Sequence, residues 1–196
     1  MMIEQVELPI FPLAILPILN ERIPLHIFEP RYRQLLQDVE SAQMQFGIYY
    51  SHGLNKDRMG AIVELEAVVK RYQTGESDIM VKCVDTFLLT KFYNKFSPKL
   101  YPGGIIAPLK AYEESSVSEE FRDQFRAFMA LKDYQGKIDF DIHDVAVELN
   151  LDIGDRLRYL KLLDIHKREA FLSERLRYRK FILEQELKVR DNFFLN

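Results

Sequence analysis

Leu8-Pro9-Ile10-Phe11-Pro12-Leu13 and, a short way on, Ile23-Pro24-Leu25-His26-Ile27-Phe28-Glu29-Pro30-Arg31-Tyr32-Arg33 decide the fold of the N-terminal half. Proline fixes φ and cannot donate to a sheet ladder, so Pro9, Pro12, Pro17 and Pro24 confine this region to strand ends, sheet edges and turns and exclude a long helix. Over residues 22–28 the apolar Ile23, Leu25 and Ile27 alternate, as in a short half-buried strand, and Asn20-Glu21 supplies the turn before it. Pro30 suits the first position of a helix, where its missing N–H costs nothing. That helix is expected over residues 31–40, with Tyr32, Leu35, Leu36 and Val39 as a single apolar stripe.

Working outward, the pattern stays strand-like to about Tyr112. Residues 46–50, 61–72, 79–84, 86–93 and 105–110 are short runs rich in β-branched or aromatic residues, divided by turns such as Ser51-His52-Gly53 and Thr74-Gly75-Glu76. The period then becomes helical. Ser116-x-x-Glu119 reads as a capping box ahead of Phe121, Phe125, Phe128 and Met129. Asp141 is expected to cap a short helix bearing Ile142, Val145, Ala146 and Leu149, and Asp152 another bearing Leu157 and Leu160. A longer helix from about Ile165 carries Leu172, Leu176, Leu183 and Leu187 on one face. The fold class is therefore α+β: a β-rich N-terminal domain over residues 1–115 and a helical C-terminal bundle over residues 116–196, joined near Glu113 to Ser118.

The proline-marked segments, with Leu16-Pro17 between them and Phe28-Glu29-Pro30-Arg31-Tyr32 at fixed spacing, resemble the start of the N-terminal substrate-binding domain of Lon-type proteases. Met59-Gly60-Ala61-Ile62-Val63 is similar to that family's glycine-led strand and Gln73-Thr74-Gly75-Glu76 to its hairpin turn; residues 145–152 and 160–169 resemble the helices that complete the domain. The likeness spans nearly the whole chain. It implies a PUA-like pseudo-barrel with one inserted helix, a topology that strand spacing does not specify. Lys82-Cys83-Val84-Asp85-Thr86-Phe87 departs from the glycine and arginine that the family usually places after the central hairpin. Lon proteases also carry a P-loop ATPase and a Ser/Lys peptidase, yet no stretch here reads G-x-x-x-x-G-K-[ST] and 196 residues leave room for neither domain. A stand-alone, non-catalytic member is expected. The resemblance implies recognition of unfolded or apolar protein segments, with a protease as partner; the expected route is a shallow apolar groove between the β domain and the helices, with sheet edges pairing to extended peptide.

Composition agrees with an ordinary folded protein: 47% hydrophobic and 29% charged residues suffice for one large core or two modest ones. The single cysteine excludes an intrachain disulfide, and the N-terminus lacks a basic leader and has its apolar run broken by prolines. A cytoplasmic location with no membrane partner is expected. The four histidines, His26, His52, His143 and His166, lack the close spacing of a zinc site, so no metal and no cofactor is expected. Residues 139–144 mimic a cation loop but lack its glycine and distal glutamate, and helix capping explains them better. Cys83, in an apolar strand pattern, reads as a buried inert thiol, and no nucleophile, base and orienter can be named together, so no catalytic residue is assigned.

Glu29, Arg31 and Tyr32 are expected to fix the strand-to-helix junction through hydrogen bonds, packing and the helix dipole. Adjustable contacts belong on loops, and the segments 51–58 and 95–104 point to Tyr50, His52, Phe96 and Tyr101 as candidate peptide-binding residues. A rival reading is RNA binding. Residues 155–190 hold 11 Lys/Arg against 6 Asp/Glu, a net +5 set against −8 elsewhere, and Arg175, Arg177, Arg179 and Lys180 are placed to meet phosphates. The interleaved Glu169, Glu174, Glu184 and Glu186 instead favour a solvated helix face laced with ion pairs, so nucleic acid is the lesser expectation. A structural or assembly adaptor, docking through Asn192-Phe193-Phe194-Leu195, is the remaining alternative.

Overall fold

The opening prolines lie inside a strand. β1 (Val6–Leu13) pairs antiparallel with β6 (Gly103–Pro108) from Val6 to Pro9, and parallel with β3 (Phe46–Tyr50) from Ile10 to Leu13. Each half of β1 thus has one unpaired side, and an unpaired side is where a residue without an N–H is tolerated. The computed structural model describes residues 4–111, 115–132, 134 and 139–194, with side chains as far as residue 189; among these are six strands and five helices. The chain divides into two compact units, Met1–Glu113 with Asp152–Leu160, and Glu114–Leu151 with Lys161–Asn196. The join expected near Glu113 begins outside the described residues.

In the first unit the remaining strands are β2 (Arg22–Ile27), β4 (Met59–Arg71) and β5 (Ser77–Tyr93), in the sheet order β2-β5-β4-β3-β1-β6. β5 also pairs with β6, which closes five strands into a ring and leaves β2 as an appended edge. This is the α+β, pseudo-barrel class expected. One strand assignment is corrected: residues 79–84 and 86–93 form one 17-residue strand, not two. Opposite it, Ile62 faces Asp85 and Val63 faces Cys83, leaving Val84 as an extra residue, so the strand bends at a bulge without ending. Asp85 looked like a break because it is charged. It is buried, and its carboxylate accepts hydrogen bonds from the backbone N–H groups of Thr86 (2.8 Å), Ala111 (2.9 Å) and Lys110 (3.1 Å).

Strand alternation sorts the apolar residues onto two faces. One face, with Phe11, Phe46, Ile48, Val63, Ile79, Val81 and Cys83, is covered by helix α1 (Pro30–Ala42), which buries Tyr32, Leu35, Leu36 and Val39, the stripe read from the sequence. The other face gathers Ile10, Ile62, Phe87, Leu89 and Ile106 from four strands of the ring. Gly60 is required there. A Cβ at that position would lie 2.2 Å from the Phe87 ring and 2.7 Å from the Ile48 carbonyl oxygen. Gly75 has φ +87° in the hairpin turn between β4 and β5, a conformation that glycine adopts without strain.

The remaining helices are α2 (Glu119–Leu131), α3 (Ile142–Glu148), α4 (Ile153–Lys161) and α5 (Ile165–Phe194). α2 buries the four predicted residues Phe121, Phe125, Phe128 and Met129, but its cap is Ser118, not Ser116. The Ser118 hydroxyl accepts from the Phe121 N–H, which puts Glu119 and Glu120 in the first turn, where the helix dipole favours them. Asp141 caps α3 in a capping box with Asp144, as the spacing predicts. α4, capped by Asp152, belongs to the first unit: Arg156 grips Glu21 with both terminal nitrogens, each side chain only 14% exposed, and donates to the Leu16 carbonyl. In α5, Leu172 and Leu176 are buried, whereas Leu183 and Leu187 are half-buried. Among the described residues no helix is long and apolar enough to cross a membrane.

Candidate ligand-binding site

Where β1 changes partners, the first unit opens into a cavity of about 630 Å³. Pro12 of β1, Tyr49 of β3, and Leu89 and Phe92 of β5 line it. Arg31 and Tyr32 enter from the start of α1, Ser51 and Arg58 from the loop after β3, and Asn94 and Pro102 from the segment between β5 and β6. The volume falls in the range of small-ligand pockets, which run from roughly 300 to 1,000 Å³.

The walls are aromatic and the charges are cationic. The rings of Tyr49 and Phe92 lie 6.3 Å apart, and Tyr32 stacks on Phe11 at 3.9 Å. The Arg31 guanidinium lies 4.6 Å over the Tyr32 ring and pairs with Glu29 at 2.8 Å. Burial is the main reason that the Tyr32 hydroxyl is pushed above its ordinary pKa, so the ring stays neutral at physiological pH. Glu29 stands at the N-cap position of α1, yet its carboxylate does not cap the helix. The expected junction is made by the Glu29–Arg31 pair and by the Glu29 carbonyl, which accepts from the N–H groups of Tyr32 and Arg33, each at 3.0 Å.

Arg58 is held in a costly conformation. Its φ of +57° lies in the left-handed region, where a side chain other than glycine is strained. The neighbouring Asn55, buried, fixes it: the side-chain amide donates to the Tyr50 carbonyl (2.8 Å) and the Met59 carbonyl (2.7 Å), while its oxygen accepts from the Met59 N–H (2.8 Å). Arg58 in turn donates from its side chain to the Thr90 carbonyl at 3.1 Å, and its own carbonyl accepts from Leu89 N–H. Sequence reasoning placed adjustable contacts on this loop but missed Arg58 and Asn55, because a left-handed arginine leaves no signature in composition or period.

The four predicted contact residues form two ring pairs, and none of the four is among the residues that line the cavity. Tyr50 is buried and stacks at 5.5 Å on His52, which is exposed and whose Nδ1 accepts from the Leu54 N–H. Phe96 is half-buried and stacks at 6.3 Å on Tyr101, which is 1% exposed and donates its hydroxyl to Asp38 at 2.7 Å. Tyr50 and Tyr101 are therefore core residues, and His52 and Phe96 are the members with surface to offer. Cys83 is buried, and that burial pushes its thiol far above its ordinary pKa.

Two free strand edges are blunted. Pro24 removes a donor from β2, and the outer half of β4, from Glu64 to Arg71, is interrupted by irregularities between Leu65 and Ala67 and between Val68 and Lys70. On α5, Arg168 is 2% exposed and donates to the Leu162 carbonyl, Arg175 pairs with Glu174 at 2.7 Å, and Lys180 pairs with Glu184 at 4.0 Å. Among the described residues, no three of His, Cys, Asp and Glu are grouped to hold a metal ion. The Asn192-Phe193-Phe194-Leu195 run lies outside the described side chains.

The fold is that of Lon N-terminal domains. A Lon N-terminal domain protein from Xanthomonas campestris superposes with a TM-score of 0.63 at 19% identity, covering 83% of this chain and 94% of its own. The N-terminal domain of the Mycobacterium avium complex Lon protease gives a TM-score of 0.58 at 12% identity, over 87% of this chain and 98% of its own. No family model and no curated protein matches the chain.

Proposed function

We propose that this chain is a non-catalytic polypeptide-recognition module that takes up unfolded or exposed apolar protein segments in the cavity of its first unit and works beside a protease. The observation that carries the reading is the aromatic-walled, 630 Å³ cavity set in a Lon-type fold beside the Phe28-Glu29-Pro30-Arg31-Tyr32 segment. The cavity offers apolar rings for side chains and guanidinium donors for backbone or charged groups, which suits peptide of varied sequence. The blunted edges of β2 and β4 make addition of a peptide strand the weaker route.

A photocrosslinking amino acid at position 92, with one at the exposed Val69 as comparison, tests this with reduced and alkylated unfolded protein as probe. Crosslinking is expected from position 92 and not from 69. Absence of binding by calorimetry and of crosslinks, with a folded protein confirmed by circular dichroism, would end the reading.

A further inference from the structure

We propose that the cavity is a carboxylate site: Arg31 and Arg58 take the free α-carboxylate at the C-terminus of a polypeptide, and the Tyr49 and Phe92 rings take its last side chain. This rests on the polypeptide reading above and names the end of the chain that is read.

Three observations lead there. The cavity is lined by two arginines and no acid, in a chain of net charge −3. Two other concavities do carry acids: Glu120 and Asp123 beside Arg177 and Lys180 in one, and Glu40 and Glu64 in the other. Second, Arg58 is kept at φ +57° by the buried Asn55 clamp. A strained residue that its surroundings over-determine marks a place where position matters, and here the guanidinium is in addition held on the Thr90 carbonyl before any ligand arrives. Third, Arg31 already pairs with Glu29, which leaves about one net positive charge at the site, enough for a single carboxylate. A nucleic-acid backbone would need a track of cations instead. The rings of Tyr49 and Phe92, 6.3 Å apart, supply apolar surface beside the charge.

Fluorescein-labelled hexapeptides ending in Phe, as the free acid, as the amide, and as an amide with an internal Asp, are titrated against the full chain by anisotropy. The free acid is expected to bind about 10–100-fold more tightly than either amide, the range for charge-assisted hydrogen bonds. Arg58→Gly, which suits the left-handed backbone, is expected to keep the fold and to bring acid and amide to equal affinity. Arg31→Gln is expected to narrow the difference in the same direction. Equal binding of acid and amide by the parent chain, while unfolded protein still binds, overturns the carboxylate site and leaves the polypeptide reading standing. No binding of peptide or unfolded protein overturns both. Tight binding of the internal-Asp peptide overturns the chain-end assignment, and displacement of peptide by a uridine oligonucleotide at low micromolar concentration overturns it in favour of phosphate.

Discussion

Asp38, half-buried on α1, receives a 2.8 Å contact from the Lys99 ammonium and the 2.7 Å hydroxyl bond of Tyr101. The Lys99 bond, aided by Tyr101, holds its carboxyl below the ordinary carboxylate range against the opposing effect of partial burial. A depressed folded-state pKa means that the unfolded chain takes up the proton first, so the contribution is full above about pH 4 and fades as pH falls through the folded value. Asp38→Asn is therefore expected to lower the urea midpoint at pH 7, and the gap to the parent should close on acidification below about pH 4. The same contact, with burial as the larger cause, raises the Tyr101 hydroxyl, which should remain protonated in an alkaline absorbance titration when solvent-facing tyrosines ionise. Asn55→Ala removes its hydrogen bonds to three backbone groups, of which the Tyr50 carbonyl keeps the His52 N–H, and is expected to cost about 2 kcal/mol in urea unfolding. Arg58 and Asn55 illustrate what a sequence hides: their importance lies in a dihedral angle and three hydrogen bonds, and neither changes the residue pattern.

Elements were legible in proportion to how strongly their period repeats. α1 was read with its whole buried stripe because Tyr32, Leu35, Leu36 and Val39 recur at helical spacing against one apolar face. β5 reads as two strands because the charged Asp85 interrupts its apolar run, whereas the bulge at Val84 that lets the strand continue shows only in the pairing. The closure of the ring by β1 on β6, which pairs Val6 with Ile106, could come only from family likeness, since no local pattern encodes a pairing of that sequence separation. Within the ring, Gly60 is one of the sensitive points. Gly60→Ala drives a methyl into the Phe87 ring and the Ile48 carbonyl, and the resulting strain is expected to cost about 1–3 kcal/mol, measured by thermal unfolding. Pairing Gly60→Ala with Phe87→Leu should recover part of that loss, because the ring is the side-chain half of the clash.

At the scale of the molecule, the backbone passes between the two units three times, at residues 113/114, 151/152 and 160/161. α4 is the reason for two of those passages, and the Arg156–Glu21 pair is its anchor. Both side chains are 14% exposed, so removing one leaves a largely buried charge uncompensated; Arg156→Ala is expected to destabilise the first unit by about 3 kcal/mol, read as a lowered urea midpoint. A chain cut at residue 115 loses α4 altogether and should unfold at lower urea than the full chain.

That anchor also sets an order in time. Glu21 and Arg156 are separated by 135 residues, with the start of the second unit lying between them. At roughly 5–20 residues per second of synthesis, Glu21 emerges from the ribosome seconds before its counter-ion exists. The nascent barrel is therefore an unfinished product while α2 and α3 are being made, and a translational pause before residue 152 would prolong its exposure to chaperones and proteases.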